Sequence, residues 1–266
     1  MTEPVTLSTA GTIAILEINN PPVNALSQAV RQGLYDAIIQ ADADTEITAI
    51  VIIGAGRSFP AGADIKEFDQ PMQDPQLPDV IDRIENCEKP VVAALHGTAL
   101  GGGFEIALGS HYRIALPSAQ VGLPEIHLGL LPGAGGTQRL PRLCGAAMAL
   151  EIMLNGTAIS AKEALNAGLI DRLVEGDLRQ AAFIMLLNSK HRAAPKMPPL
   201  ACQIKPPLMR PCTMPHRSPP AACAGNSRHS RLSTACEPAP PNLSPMGACS
   251  KAIAFLNASP QSNPKA

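Results

Sequence analysis

Apolar residues fall in short, dense runs over the first 189 positions, and the spacing inside each run predicts its element. "TIAILEI" (12–18) and "TAIVIIGAG" (48–56) read as strands. The second is almost wholly β-branched, which predicts a sheet buried on both faces. Between them Leu26, Val30, Leu34 and Ile38 recur at steps of four, one face of an amphipathic helix. A Pro- and Asp-rich loop at 71–79 leads into a short helix over "DVIDRIENC" (79–87). "PVVAALHG" (90–97) and "HYRIAL" (111–116) read as further strands. Ser160 and Glu163 form a capping box for the helix "AKEALNA", Gly168 ends it, and "LIDRLV" reads as a closing strand. Strand and helix alternate, which is the α/β class.

From about residue 190 both periodicities vanish. The expected organisation is a folded domain over 1–189 and a Pro-, Cys- and Arg-rich tail over 190–266. Composition sharpens that boundary. The net charge of −1 conceals a tail with 10 of the 21 Lys and Arg but one acid, Glu237, and 15 of the 27 prolines. Such a segment buries too little apolar surface to offset its ordering entropy, so it is expected to be largely unstructured, with a short helix near 250–258. Its basic residues lack aromatic interleaving, which argues against a nucleic-acid module. Its cysteines form no C-x-x-C, which argues against a metal site. Cys87 and Cys144 read as reduced core thiols. The N-terminus shows no signal-peptide pattern and no apolar run is long enough for a membrane helix, so the expected location is the cytoplasm.

The glycine clusters raise the chemistry. "GTALGGGF" (97–104) has the glycine spacing of a phosphate loop but no basic residue where that motif needs one. "GAGRSF" (54–59) and "GAGGTQ" (133–138) fail the dinucleotide fingerprint at its third glycine, so no NAD site is expected. Tight turns and close packing are the plain alternative. A further reading is an oxyanion site, because Gly-rich backbone at a helix start leaves N–H groups free and pointing outward. "PAGADI" (60–65) and "LGGGFE" (100–105) both qualify, and two separate amides suit a developing oxyanion.

Glu105 follows the glycine triplet directly, and "GLPEIHLG" supplies Glu125, also among apolar residues. Either alone would read as a capping or paired carboxylate. Together, beside a candidate oxyanion site, they suggest a pair whose pKa values are pushed apart into one acid and one base. His96, His111 and His127 lie on separate elements and read as structural or surface residues.

The stretches "SFPAGADIKEF", "KPVVAALHGTALGGGFEIALGSHYRIA" and "GLPEIHLGLLPGAGGTQRLPRLCG", in that order, resemble the enoyl-CoA hydratase/isomerase (crotonase) family over about residues 5–189. The wording is most similar to the hydratase part of bifunctional enzymes that also carry a 3-hydroxyacyl-CoA dehydrogenase domain. The resemblance implies a spiral of ββα units around a CoA thioester. It maps the oxyanion amides onto Ala63 and Gly102 and the catalytic carboxylates onto Glu105 and Glu125. It puts Ala61, Asp64 and Ile65 on the segment lining the CoA moiety. The implied reaction is reversible hydration of a trans-2-enoyl-CoA in fatty-acid β-oxidation, with no metal and no redox cofactor, and an acyl-CoA thioester as the partner. A Δ3,Δ2-enoyl-CoA isomerase and a non-catalytic acyl-CoA-binding remnant are the alternatives.

The departure from the family lies after Lys190. The resemblance implies helices there that cover the acyl pocket and build a trimer, or a link to a dinucleotide-binding domain. The tail matches neither and reads like a coding region in the wrong frame, which leaves homo-oligomerisation open.

Overall fold

The computed structural model describes residues 3–67 and 71–187. The expectations for the tail, including its short helix, lie outside the described residues.

The chain opens with a hairpin. Strands β1 (Val5–Ala10) and β2 (Ile13–Ile18) pair antiparallel, joined through Gly11 at φ +61. Helix α1 (Gln28–Ala43) follows, burying Val30, Leu34, Ala37, Ile38 and Ala41. Leu26 shares that apolar spacing but precedes the helix: it is fully buried and forms an isolated bridge with Ala63. Strand β3 (Ala49–Gly54) is buried at every position, as its β-branched run requires. Helix α2 (Leu77–Glu85) starts two residues before the predicted span, because Gln76 and Asp79 make a capping box. Then come β4 (Val91–Leu95), β5 (Thr98–Leu100), α3 (Gly102–Gly109), β6 (Tyr112–Ala115) and β7 (Gln120–Gly122). The chain continues through α4 (Gly136–Cys144), α5 (Ala146–Asn155), β8 (Ile159–Ser160), α6 (Ala161–Asn166), β9 (Arg172–Leu173) and α7 (Leu178–Leu187). The Ser160–Glu163 capping box and the positive φ of Gly168 bound α6 as expected.

Two sheets result. The larger has the order β1-β2-β3-β4-β6-β9 and is parallel apart from β1. Alternation sends its side chains into two cores. Leu16, Ile50, Ile52, Ala93 and Leu95 pack with residues of α1, α2 and α3 on one face. Ile15, Val51, Ile53, Val92 and Ile114 pack with Leu178, Ala182 and Met185 of α7 on the other. The smaller sheet, β5-β7-β8, is built from strands of two or three residues.

The chain alternates between the two sheets. After β4 it passes through β5 into α3; after β6 it passes through β7 toward α4. The earlier turns use bridges in place of strands. After β3, Ala61 bridges Leu100 before α2; after β2, Leu26 bridges Ala63 before α1. The architecture is the expected spiral of strand, strand or bridge, then helix.

Candidate active site

Each turn of that spiral leaves the smaller sheet at nearly the same place. Ala63, Gly102 and Glu125 all stand just past this crossing in three successive turns, so they converge although 62 positions separate the first from the last. Gly101 N–H donates to Gly122 O at 2.9 Å, and Leu100 N–H to Pro60 O at 3.3 Å, which ties the turns together.

Close approach explains the glycine triplet. A Cβ at Gly103 would stand 1.8 Å from the Pro60 carbonyl oxygen. At Gly102 it would meet Leu77 Cδ2 at 2.6 Å and lie 3.9 Å from Ala63 N. At Gly101, which has φ +54, it would sit 3.2 Å from Glu125 Oε1. Gly102 is also the first residue of α3, so its N–H has no intrahelical acceptor. Among the described residues neither the Gly102 nor the Ala63 amide has a protein acceptor. Two free donors thus lie side by side.

Glu105 is only 2% exposed, because α3 is buried along its whole length. Its Oε1 accepts from Gly136 N–H at 2.7 Å and Ala134 N–H at 2.9 Å. Those amides belong to the start of α4, where Gly135 takes φ +94. Burial raises the Glu105 pKa, opposed by the two amides and the charge of Arg139. Glu125 opens a 3₁₀ turn (Glu125–Leu128), and its Oε2 is buried without a protein partner among the described residues. Burial, reinforced by the Glu105 charge, pushes its pKa up to about 7. One carboxylate is therefore held by fixed donors, and its neighbour is poised to exchange a proton near neutrality.

Ala61 is half-buried and donates its N–H to Val23 O at 3.1 Å. Asp64 Oδ1 accepts from Lys66 N–H at 3.1 Å, which caps the short 3₁₀ turn Ile65–Glu67. Both lie within two positions of Ala63. His111 is structural: Val91 N–H donates to its Nδ1 at 2.9 Å and its Nε2 lies 3.1 Å from Glu85 O. His96 and His127 stand on other segments. Cys87 and Cys144 are free thiols, the first buried and the second only half-buried. Among the described residues no three or more His, Cys, Asp or Glu side chains are grouped to hold a metal, and no helix is long and apolar enough to cross a membrane.

Ala134, Gly136 and Arg139 were not singled out by the sequence reading. Their signal was present: "GAGG" precedes a helix start just as the glycine triplet does, but was weighed only against a dinucleotide fingerprint.

A ββα spiral bearing two free amides beside one buried and one half-buried carboxylate defines an α/β protein with a site suited to polarising a carbonyl and moving a proton. The chain belongs to the family described as enoyl-CoA hydratase/isomerase, whose profile matches residues 8–213. It is similar to the peroxisomal bifunctional enzyme of Danio rerio, 50% identical over 177 residues, which cover 66% of this chain and 25% of that protein. It is also similar to a probable enoyl-CoA hydratase of Bacillus subtilis, 47% identical over 165 residues, covering 59% of this chain and 64% of that protein. A solved structure of the enoyl-CoA hydratase from Bacillus anthracis superposes with a TM-score of 0.64 at 35% identity, covering 68% of this chain and 74% of that one. The chain thus spans about a quarter of the length of the bifunctional relative.

Proposed function

We propose that this chain hydrates trans-2-enoyl-CoA thioesters to 3-hydroxyacyl-CoA, a step of fatty-acid β-oxidation. The observation that carries the reading is the convergence of the Ala63 and Gly102 amides with Glu105 and Glu125. The two amides bind the thioester oxygen and draw electrons from the conjugated double bond. Water adds through its oxygen at C3, and negative charge gathers on the thioester oxygen, where the amides stabilise it. A carboxylate takes the water's proton as the C3–O bond forms. The resulting enolate collapses by accepting a proton at C2 from the glutamate pair. The pair thus ends with the proton count it began with, consistent with one carboxylate near pKa 7 beside a second. Ala61, Asp64 and Ile65 are the proposed contacts to the CoA moiety. The chain's own residues supply every step, so neither a metal nor NAD is invoked.

A second reading is Δ3,Δ2-enoyl-CoA isomerisation. It is favoured by Glu125, whose Oε2 has no protein partner among the described residues and which could carry one proton between two carbons unaided. Loss of the conjugated thioester absorbance of crotonyl-CoA tests hydration, and gain of that absorbance from a 3-enoyl-CoA tests isomerisation. Binding of crotonyl-CoA without either change would leave the non-catalytic reading. The proposed compartment is the cytoplasm; fractionation with peroxisomes would overturn it.

A further inference from the structure

Arg139 projects from α4 back toward that helix's own N-terminus. Its side chain is 9% exposed, and Nη2 reaches Glu85 Oε2 at 2.7 Å and Asp82 Oδ1 at 3.0 Å, both on α2. Its Nη1 donates to Ala134 O at 3.0 Å. Ala134 is therefore gripped from both sides, its carbonyl by Arg139 and its N–H by Glu105 Oε1. Gly135 is glycine for the same reason. A Cβ there would stand 2.1 Å from Arg139 Nη1. Helix α2 packs on α3, which carries Glu105. The contacts close a ring from Glu105 through the 134–136 backbone, Arg139 and α2 back to α3. A planar guanidinium suits this place, because its fixed fork can serve a carbonyl and two carboxylates at once.

We propose that Arg139 is a positioning residue for the glutamate pair: it fixes the 134–136 backbone in the conformation whose two amides face Glu105, and so fixes the orientation of that carboxylate. The inference rests on the acid–base role proposed above for Glu105. The charged groups around that carboxylate are Arg139 from α4 and Glu125 from the 3₁₀ turn, with Asp82 and Glu85 of α2 behind the guanidinium. His111 and Arg113, which follow α3, are engaged elsewhere, His111 with Val91 and Glu85 O, Arg113 with Ser110 O and Asp171.

The test uses the full chain and the variants Arg139→Gln and Arg139→Lys. Crotonyl-CoA hydration is followed across pH, and the amide resonances of Ala134 and Gly136 are followed by NMR through the same titration. Arg139→Gln is expected to lower kcat about 10²-fold, the scale of a small misplacement of a reacting group, with KM little changed. The Ala134 and Gly136 resonances should lose the downfield shift that a carboxylate acceptor imposes. What remains of their titration, and the acid limb of kcat/KM, should move to higher pH, because Glu105 loses the donors and the cation that favour its charged form. Arg139→Lys keeps the charge but not the fork, so it should restore the acid limb more than it restores kcat. Unchanged amide resonances would overturn the proposal, whether or not kcat falls. So would a failure of both variants to fold, which would make Arg139 a residue of the fold. If the parent chain hydrates nothing, the proposed function fails, while the amide titration, which needs no turnover, still decides the role of Arg139.

Discussion

The six-stranded sheet and the three-stranded sheet use the same chain in opposite ways. The larger is closed by helices on both faces, and its inner strands contribute side chains such as Ile52 and Val51 to two separate cores. The smaller contributes few side chains to the core, Ala99, Val121 and Ile159. Its strands are two or three residues long, and what it delivers is backbone: the amides of Ala63 and Gly102 and the positions from which Glu105 and Glu125 project. Packing stabilises the first region, while the second is held mainly by backbone approach. Mutations should therefore separate stability from turnover cleanly.

The sharpest break falls on the carboxylates. Glu105→Gln and Glu125→Gln are each expected to lower hydration by about 10²–10⁴-fold, the usual contribution of a positioned acid or base, without unfolding the chain. Steady-state rates beside thermal melts check this, and near-native turnover in either variant would make that glutamate structural. The complementary break is in the larger sheet. Ile52→Ala removes a fully buried side chain and should cost about 2–5 kcal/mol of stability, read by denaturant titration, with the specific activity of folded protein preserved.

Between these extremes lies Gly102→Pro. Proline is well tolerated at the first position of a helix, so α3 can still form, but the N–H is lost. A fall of about 10²–10³-fold in rate is expected for the loss of one oxyanion donor. The new ring must also pass Leu77, so circular dichroism has to accompany the assay. An unchanged rate in a folded variant would remove Gly102 from the site.

The smallest expected effect is a pH dependence of stability. The folded pKa of Glu125 is raised from the usual 4.5 to about 7, chiefly by burial. A raised carboxylate pKa means the folded state binds the proton more tightly than the unfolded one. The fold is thus penalised as pH rises through that interval and carries the full penalty above about 7. Glu125→Gln should melt at higher temperature than the parent at pH 8, with the gap closing toward pH 4. A gap that does not vary with pH would show that Glu125 is not buried as its charge requires.

Much of the larger sheet was legible because its strands carry their own signal: "AIVIIG" can satisfy that pattern only if both faces are covered. β1 was missed because an edge strand buries little, with Val5 its only fully covered position. β5, β7 and β8 were missed because two or three residues cannot show a period. "LIDRLV" was read as a strand, but only Arg172 and Leu173 pair. The candidate site was legible where glycine and glutamate sit in one motif, as at 100–105. Arg139 was not, since its partners Asp82 and Glu85 are more than fifty positions away and nothing local to "GTQRL" announces them.

Successive turns of the spiral have a consequence in time as well as in space. No single turn holds the proposed site; Ala63, Gly102 and Glu125 each come from a different one, and the amides that hold Glu105 come from the start of α4. A refolding chain can therefore recover the far-ultraviolet signal of its helices and of the local β1–β2 hairpin before it can show the proposed turnover. Contacts between distant segments form late, because loop-closure entropy opposes them. The recovery of turnover would then act as a clock for the docking of the last contributing turn rather than for the fold as a whole.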